Sequence, residues 1–200
     1  MVNKRIDFFV LCIGVALISA CAKYEPKMLD IPQVQAQEKN GFVVRAKELK
    51  DKEAKNIFGG CSPASKGYKA VQIFIINKND QACTLQADSI SLGVASAQLV
   101  AEQIGFNTAG RVAGWGAASL ILLPLLIPAY VDGTASSQAN KELKQDFVSR
   151  TISNASSTTI QPNGLMNKIF FVSNEDFCST FSFELVNKGT GVVEKFTINL

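Results

Sequence analysis

Residues 68–77 read Tyr-Lys-Ala-Val-Gln-Ile-Phe-Ile-Ile-Asn. Successive side chains on a strand point to opposite faces. Val71, Ile73 and Ile75 therefore share one face, and Phe74 and Ile76 share the other. A strand with one wetted face alternates apolar with polar. Apolar residues on both faces predict a central strand covered on both sides. Asn77-Lys78-Asn79-Asp80 follows as a turn cluster. Two short strands are expected after it, Ala82–Gln86 and Ser89–Leu92. Upstream, Phe42–Ala46 reads as a short strand and Glu48–Lys55 as a solvated turn or short helix. Gly59-Gly60-Cys61-Ser62-Pro63 is a loop by composition.

The carboxy-terminal quarter has the same character. A polar loop from Ser153 runs into a strand at Thr158–Ile160, and Pro162-Asn163-Gly164 is a turn. Leu165–Ser173 is a strand around Ile169-Phe170-Phe171-Val172. Thr180–Asn187 alternates, with Phe181, Phe183 and Leu185 inward. After the hairpin loop Asn187–Gly191, Val192–Leu200 pairs back with Phe196, Ile198 and Leu200 inward. About seven short strands separated by turn signals predict a mainly β protein, an immunoglobulin-like β-sandwich assembled from residues 42–92 and 152–200. No tryptophan lies in the strand regions, so the expectation concerns architecture only.

Residues 93–151 interrupt this pattern as a helical insertion. Small side chains stand at every fourth position: Gly93, Ala97, Ala101, Gly105, Ala109, Ala113 and Ala117. Such a repeat lets helix backbones approach closely. Four residues turn a helix by about 400°, so the stripe drifts about 40° per step and does not stay on one face of a single long helix. The expected form is a helical hairpin, roughly 93–106 and 111–130, broken near Asn107-Thr108-Gly110, with Pro124 and Pro128 kinking or ending the second leg. A third helix, Thr134–Thr151, carries Ala139, Leu143 and Phe147 at i, i+4 and i+8, with Asp146 and Arg150 as a surface pair.

The segment 112–131 is uncharged, with Ser119 its one clearly polar residue and Trp115 and Tyr130 near its ends. It has the length of a transmembrane helix. A single crossing, however, would separate two halves of one β system. Re-entry, an interfacial position, or burial against protein are the arrangements left open. The first leg carries Glu102, which costs about 2.5–3.5 kcal/mol at a bilayer centre unless paired or facing protein.

The amino terminus has Lys4 and Arg5 before an apolar core, Phe8–Ile18, too short to span a bilayer. The core ends in Ile18-Ser19-Ala20-Cys21. This resembles the lipobox of bacterial lipoproteins. The resemblance implies a signal peptide over 1–20, cleavage between Ala20 and Cys21, and lipidation of Cys21, a palmitate-type membrane anchor. An ordinary signal peptide, or an uncleaved anchor, with an incidental cysteine is the alternative. Ala22 rather than Asp follows Cys21. By the enterobacterial rule that favours the outer membrane facing the periplasm, with the inner membrane as the alternative. Residues 21–41 then form a lipid-anchored linker whose twenty flexible positions reach about 25 Å. The four-residue repeat is similar to that of small glycine-zipper outer-membrane lipoproteins, whose repeats are richer in glycine; no residue is carried over from them beyond the lipobox.

Composition narrows the chemistry. Apolar residues make up 47% and charged residues 18%, which suits a folded chain. The net charge of +3 is small and evenly spread, which argues against nucleic acid as a partner. The chain has no histidine, so the usual nucleophile–base pairs and most zinc sites are missing. Gly110–Gly116 lacks the ending of a phosphate loop, and Glu175-Asp176 reads as a solvated turn. Cys61, Cys83 and Cys178 remain once Cys12 leaves with the signal and Cys21 is acylated. Cys61 with Cys83 is the possible disulfide, and three reduced, buried thiols are the alternative. No catalytic residue, metal site or cofactor is expected. The function expected from sequence is that of a non-enzymatic envelope lipoprotein, held to the membrane by Cys21 and in some arrangement by 112–131. It binds a protein partner or forms a homo-oligomer through its insertion. The alternative is an accessory subunit of a secretion or transport assembly.

Overall fold

A computed structural model of the chain describes residues 25–105 and 126–200. The chain divides into two compact units, Met1–Tyr24 with Gly105–Leu143, and Glu25–Ile104 with Lys144–Leu200. The second unit holds eight strands in two antiparallel sheets. The first sheet has the order β1 (Gln37–Lys39), β2 (Phe42–Leu49), β3 (Tyr68–Asn77), β6 (Leu165–Ser173). The second has the order β5 (Ser157–Ile160), β4 (Cys83–Gln86), β7 (Thr180–Asn187), β8 (Val193–Asn199). Three α-helices are described: α1 (Asp51–Ile57), α2 (Ala97–Ile104) and α3 (Leu126–Arg150).

Strand β3 is central, as its sequence predicts. It pairs with β2 on one side and β6 on the other. Val71, Ile73 and Ile75 are completely buried in the main core between the sheets, with Leu85, Phe170, Phe181, Phe183 and Phe196. Phe183 and Phe196 stack at 5.4 Å, and Phe170 meets Phe181 edge-on at 5.6 Å. Aromatic pairs of this kind add about 0.5–1.5 kcal/mol beyond their buried area.

The other face of β3 explains the apolar Phe74. A second aromatic cluster lies off the main core. Phe58, just after α1, Phe147 near the end of α3 and Phe171 of β6 are all fully buried. Phe58 and Phe147 lie 4.1 Å apart between ring centres, and Phe147 stacks on Phe171 at 5.3 Å. The first sheet is thus covered twice, by the second sheet and by helical and extended segments.

Several expectations change. The stretch 22–41 is not a plain linker over its described part. Asn40 and Gly41 both have positive φ, 48° and 78°, and Lys39 pairs with Phe42. That is the two-residue hairpin turn for which Asn-Gly is the preferred pair, and it adds β1 to the sheet edge. Strand β2 runs to Leu49, beyond Ala46, because β3 is long enough to pair with all of it. The charged run then forms α1, with Asp51 and Glu53 in its first turn and Lys55 in its last, the distribution the helix dipole favours. The Lys50 N–H donates to Glu53 at 3.0 Å, one half of a capping box. Ser89–Leu92 is not a strand. A 3-10 turn, Ala87–Ser89, takes its place, and Ser91 bonds Ser182 of β7 outside any ladder.

The insertion also differs. The first leg is helical only over Ala97–Ile104, and Gly93 lies before it. Val94 instead bridges Val172, because the free edge of β6 offers backbone partners there. The expected break at 106–110 and Ala109, Ala113 and Ala117 lie outside the described residues. The expected division between a second helix ending at 130 and a third starting at 134 is not seen; α3 runs continuously through Pro128, Asp132 and Gly133. A glycine inside a helix costs only about 1 kcal/mol, too little to force an end. Ala139, Leu143 and Phe147 are buried, in the i, i+4, i+8 pattern expected.

Candidate functional site

Both ends of the insertion attach to the same strand. The Ala95 N–H donates to the Phe171 carbonyl at 2.8 Å, and the Ile152 N–H donates to the Ile169 carbonyl at 2.7 Å. Residues 96–150 therefore leave from, and return to, the outer edge of β6. This also closes an edge that would otherwise present unpaired backbone groups.

Helix α2 shows why its sequence folds there. Ser96 stands before it, its hydroxyl accepting from the Leu99 N–H at 3.4 Å. Ala97, Val100, Ala101 and Ile104 are buried, a spacing that places them on one helical face. Of the seven small-residue positions, Ala97 and Ala101 thus lie on a packed helix face, Gly105 follows the helix, and Gly93 lies in the segment that bridges to β6. Glu102 is exposed and pairs with Lys144 at 3.0 Å. That hydrogen bond holds its carboxyl below the usual range. The charge that spoils this leg as a membrane span is therefore paired at the protein surface. Asp146 and Arg150 pair as expected, and the Arg150 guanidinium also donates to the Lys27 carbonyl.

Beside this junction lies a cavity of about 330 Å³ lined by hydroxyls, with Ser153, Ser156, Ser157 and Thr158 among them, and by Lys168. Lys168 donates to the Ser149 carbonyl at 3.2 Å, and burial lowers its pKa. No carboxylate lines the cavity, and this lysine bond goes to a main-chain carbonyl.

A larger groove, about 500 Å³, lies along the amino-terminal segment. Residues 27–32 form a strap across the outer face of the first sheet. The Lys27 N–H donates to Asn56 at 3.3 Å. Gln72, 2% exposed, donates to the Asp30 carbonyl at 2.6 Å and to Asn167 at 2.8 Å. Asn167 in turn donates to the Leu29 carbonyl at 3.2 Å. Pro32 is buried. Met28, Ile31, Leu49 and Ile57 give the groove apolar walls, and Lys47 and Glu53, paired at 2.9 Å, line it too. Sequence reasoning missed the strap. Its one available signal was the apolar pair Met28-Leu29 followed by Ile31-Pro32 in a polar stretch.

Cys61 and Cys83 do not form the expected bridge; both are free and buried, and Cys178 is free and exposed. Cys83 belongs to the main core, where a thiol packs as a small hydrophobe. Cys61 lies outside that core, in the loop after Phe58. Burial raises both thiols to a pKa of about 11. Two results follow. In the native protein an exchange-type thiol reagent should, of these three, react quickly with Cys178 alone, and with Cys61 and Cys83 only after denaturation. The folded state holds these two protons more tightly than the unfolded chain, whose thiols titrate near 9. The thiols' contribution to stability should therefore be constant below pH 9 and fall between about pH 9 and 11, by up to about 2 kcal/mol for each, with Lys168, whose lowered pKa acts in the opposite direction at alkaline pH, offsetting part of the fall. Urea unfolding across that range measures it, and Cys83→Ala should flatten part of the slope.

Among the described residues no cluster of potential metal ligands occurs, and no helix is long and apolar enough to cross a membrane. Cys21, Ala20 and most of the segment 112–131 lie outside the described residues. The chain matches no family model, no curated protein and no solved structure.

Proposed function

We propose that the chain is a bacterial envelope lipoprotein, acylated on Cys21 and without enzymatic activity. Its immunoglobulin-like sandwich presents the insertion to a protein partner or to a second copy of itself. The observation that carries the anchoring is Ile18-Ser19-Ala20-Cys21 at the end of a short apolar core behind Lys4 and Arg5. The placement is the outer membrane, facing the periplasm. The immunoglobulin-like reading is supported by strand order. In that fold the first, second and fifth strands share one sheet, and the third, sixth and seventh the other. With the edge strand β1 set aside, β2, β3 and β6 match the first set, and β4, β7 and β8 match the second. The remaining strand, β5, lies beside β4.

The anchoring is tested by the intact mass of the protein extracted from membranes. The expected result is a chain starting at Cys21 and carrying lipid, which Cys21→Ser abolishes. An unmodified Cys21 refutes the reading. The role of the insertion is tested on native gels. The side-chain ends of Glu102 and Lys144 meet at 3.0 Å, so a Gly-Ser linker long enough to span the two side chains can replace residues 106–142 while keeping α2, Leu143 and Phe147. Loss of a homo-oligomer on this replacement supports self-association. Loss of a large hetero-complex supports an accessory subunit of an envelope assembly. No change in size refutes both. A Cys21→Ser form released completely from membranes by alkaline carbonate would refute bilayer entry by 112–131.

A further inference from the structure

We propose that the strap face of the domain, led by Met28 and Ile31, rests on the lipid bilayer that holds Cys21. This rests on the lipoprotein reading and goes beyond it, because acylation alone fixes no orientation. The strap is what changes the geometry. Lys27 is fixed by its N–H to the Asn56 carbonyl, so no more than Ala22–Pro26 separate the acylated residue from a point fixed to the domain. Six peptide units span at most about 20–22 Å. A compact unit of this size is about 35–40 Å across. The tether is therefore too short to bring the opposite side of the domain to the membrane.

The face it does bring there has the right surface. Met28 is 86% exposed and Ile31 46%, the first of these the highest exposure among the large apolar residues described. Lys27, exposed beside Met28, suits an anionic headgroup. Met28 is not held out by chance flexibility of its backbone. Its neighbours Lys27, Leu29 and Asp30 are all fixed by backbone hydrogen bonds to Asn56, Arg150, Gln72 and Asn167. The occupant is lipid rather than a protein partner because the chain that leads to the strap is itself the anchor.

The test uses the full-length acylated protein, with Cys178→Ser removing the exposed thiol, in vesicles of phosphatidylethanolamine and phosphatidylglycerol. A small environment-sensitive fluorophore is attached at Met28→Cys or, for comparison, at Val193→Cys, which is 50% exposed on the other sheet. Nitroxide lipids labelled near the headgroup are then added. The expected result is about twofold or greater quenching at position 28 and none at position 193, as for a residue a few ångströms into the interface. Equal quenching at both positions, or none at 28, with Cys21 shown by mass to carry lipid, overturns the proposal alone. An unacylated Cys21 overturns the lipoprotein reading and the proposal together.

Discussion

Phe147→Ala is expected to cost about 3–5 kcal/mol of stability, the range for deleting a fully buried aromatic ring. Phe147 has no exposure, stacks on Phe171 at 5.3 Å and meets Phe58 at 4.1 Å. A domain of this size has only about 5–15 kcal/mol in total, so much of it goes with one ring. The location makes the effect more than a cavity. Phe147 is the last buried anchor of α3 before Thr151 and Ile152 join the β6 edge. Among the polar ties near that helix end, the pair of Glu102 with Lys144 is exposed. Exposed pairs of that kind contribute little against water and salt. Val148→Ala, one residue on and 61% exposed, should change stability by less than about 0.5 kcal/mol. Urea unfolding of the three proteins checks this. A Phe147→Ala loss as small as that of Val148→Ala would mean that α3 does not depend on the aromatic cluster.

How much of this was legible in the sequence differs by element. Strand β3 announced itself, since apolar residues on both faces have one physical meaning, cover on both sides. The alternation of Phe181, Phe183 and Leu185 was equally plain, and those three residues are buried. The series Ala139, Leu143, Phe147 read correctly for the same reason: it is a local period. What failed was what depends on competition between local signals. A second helix ending near 130 and a third starting at Thr134 were expected, yet α3 passes through Asp132-Gly133. Asn40-Gly41 is a strong hairpin signal, but the polar residues around it suggested a tether. Only the pairing of Gln37–Lys39 with β2 gives it meaning.

The candidate site was less legible, and for a different reason. The strap is held by Gln72 and Asn167, whose partners are 42 and 138 residues distant in sequence. Neither belongs to a motif, and a buried glutamine in an apolar strand reads as a flaw in the pattern. Here it is the donor that fixes Asp30. The cysteines show the same limit. Cys61 and Cys83 flank β3 in sequence, which suggested a bridge. They are separate buried thiols, Cys83 within the main core and Cys61 outside it.

Asn77 carries the other large expected effect. It closes β3 inside a turn-like run, where composition suggests a solvated position, yet it is completely buried. Its side-chain amide donates to the Gln81 carbonyl at 2.8 Å and the Gln161 carbonyl at 3.2 Å, and its oxygen accepts from the Asn79 N–H at 3.1 Å. One residue thus joins the turn after β3 to the turn between β5 and β6. Asn77→Ala strands those backbone groups and should cost about 2–4 kcal/mol, since each buried group left unsatisfied costs about 1–3. Asn77→Asp should be worse near neutral pH, by about 3–5 kcal/mol in all, because a buried carboxylate would face carbonyl oxygens with no donor to give. The two variants separate by pH. A carboxyl in that setting has a folded pKa above its unfolded value of about 4. Its penalty is absent below the unfolded value and grows as pH rises toward the folded one. Asn77→Asp should therefore regain stability between about pH 7 and pH 4 relative to Asn77→Ala, whose loss should stay constant. Parallel urea curves for the two variants at each pH would show instead that the position is open to water, and that the two turns are held by their own backbone bonds.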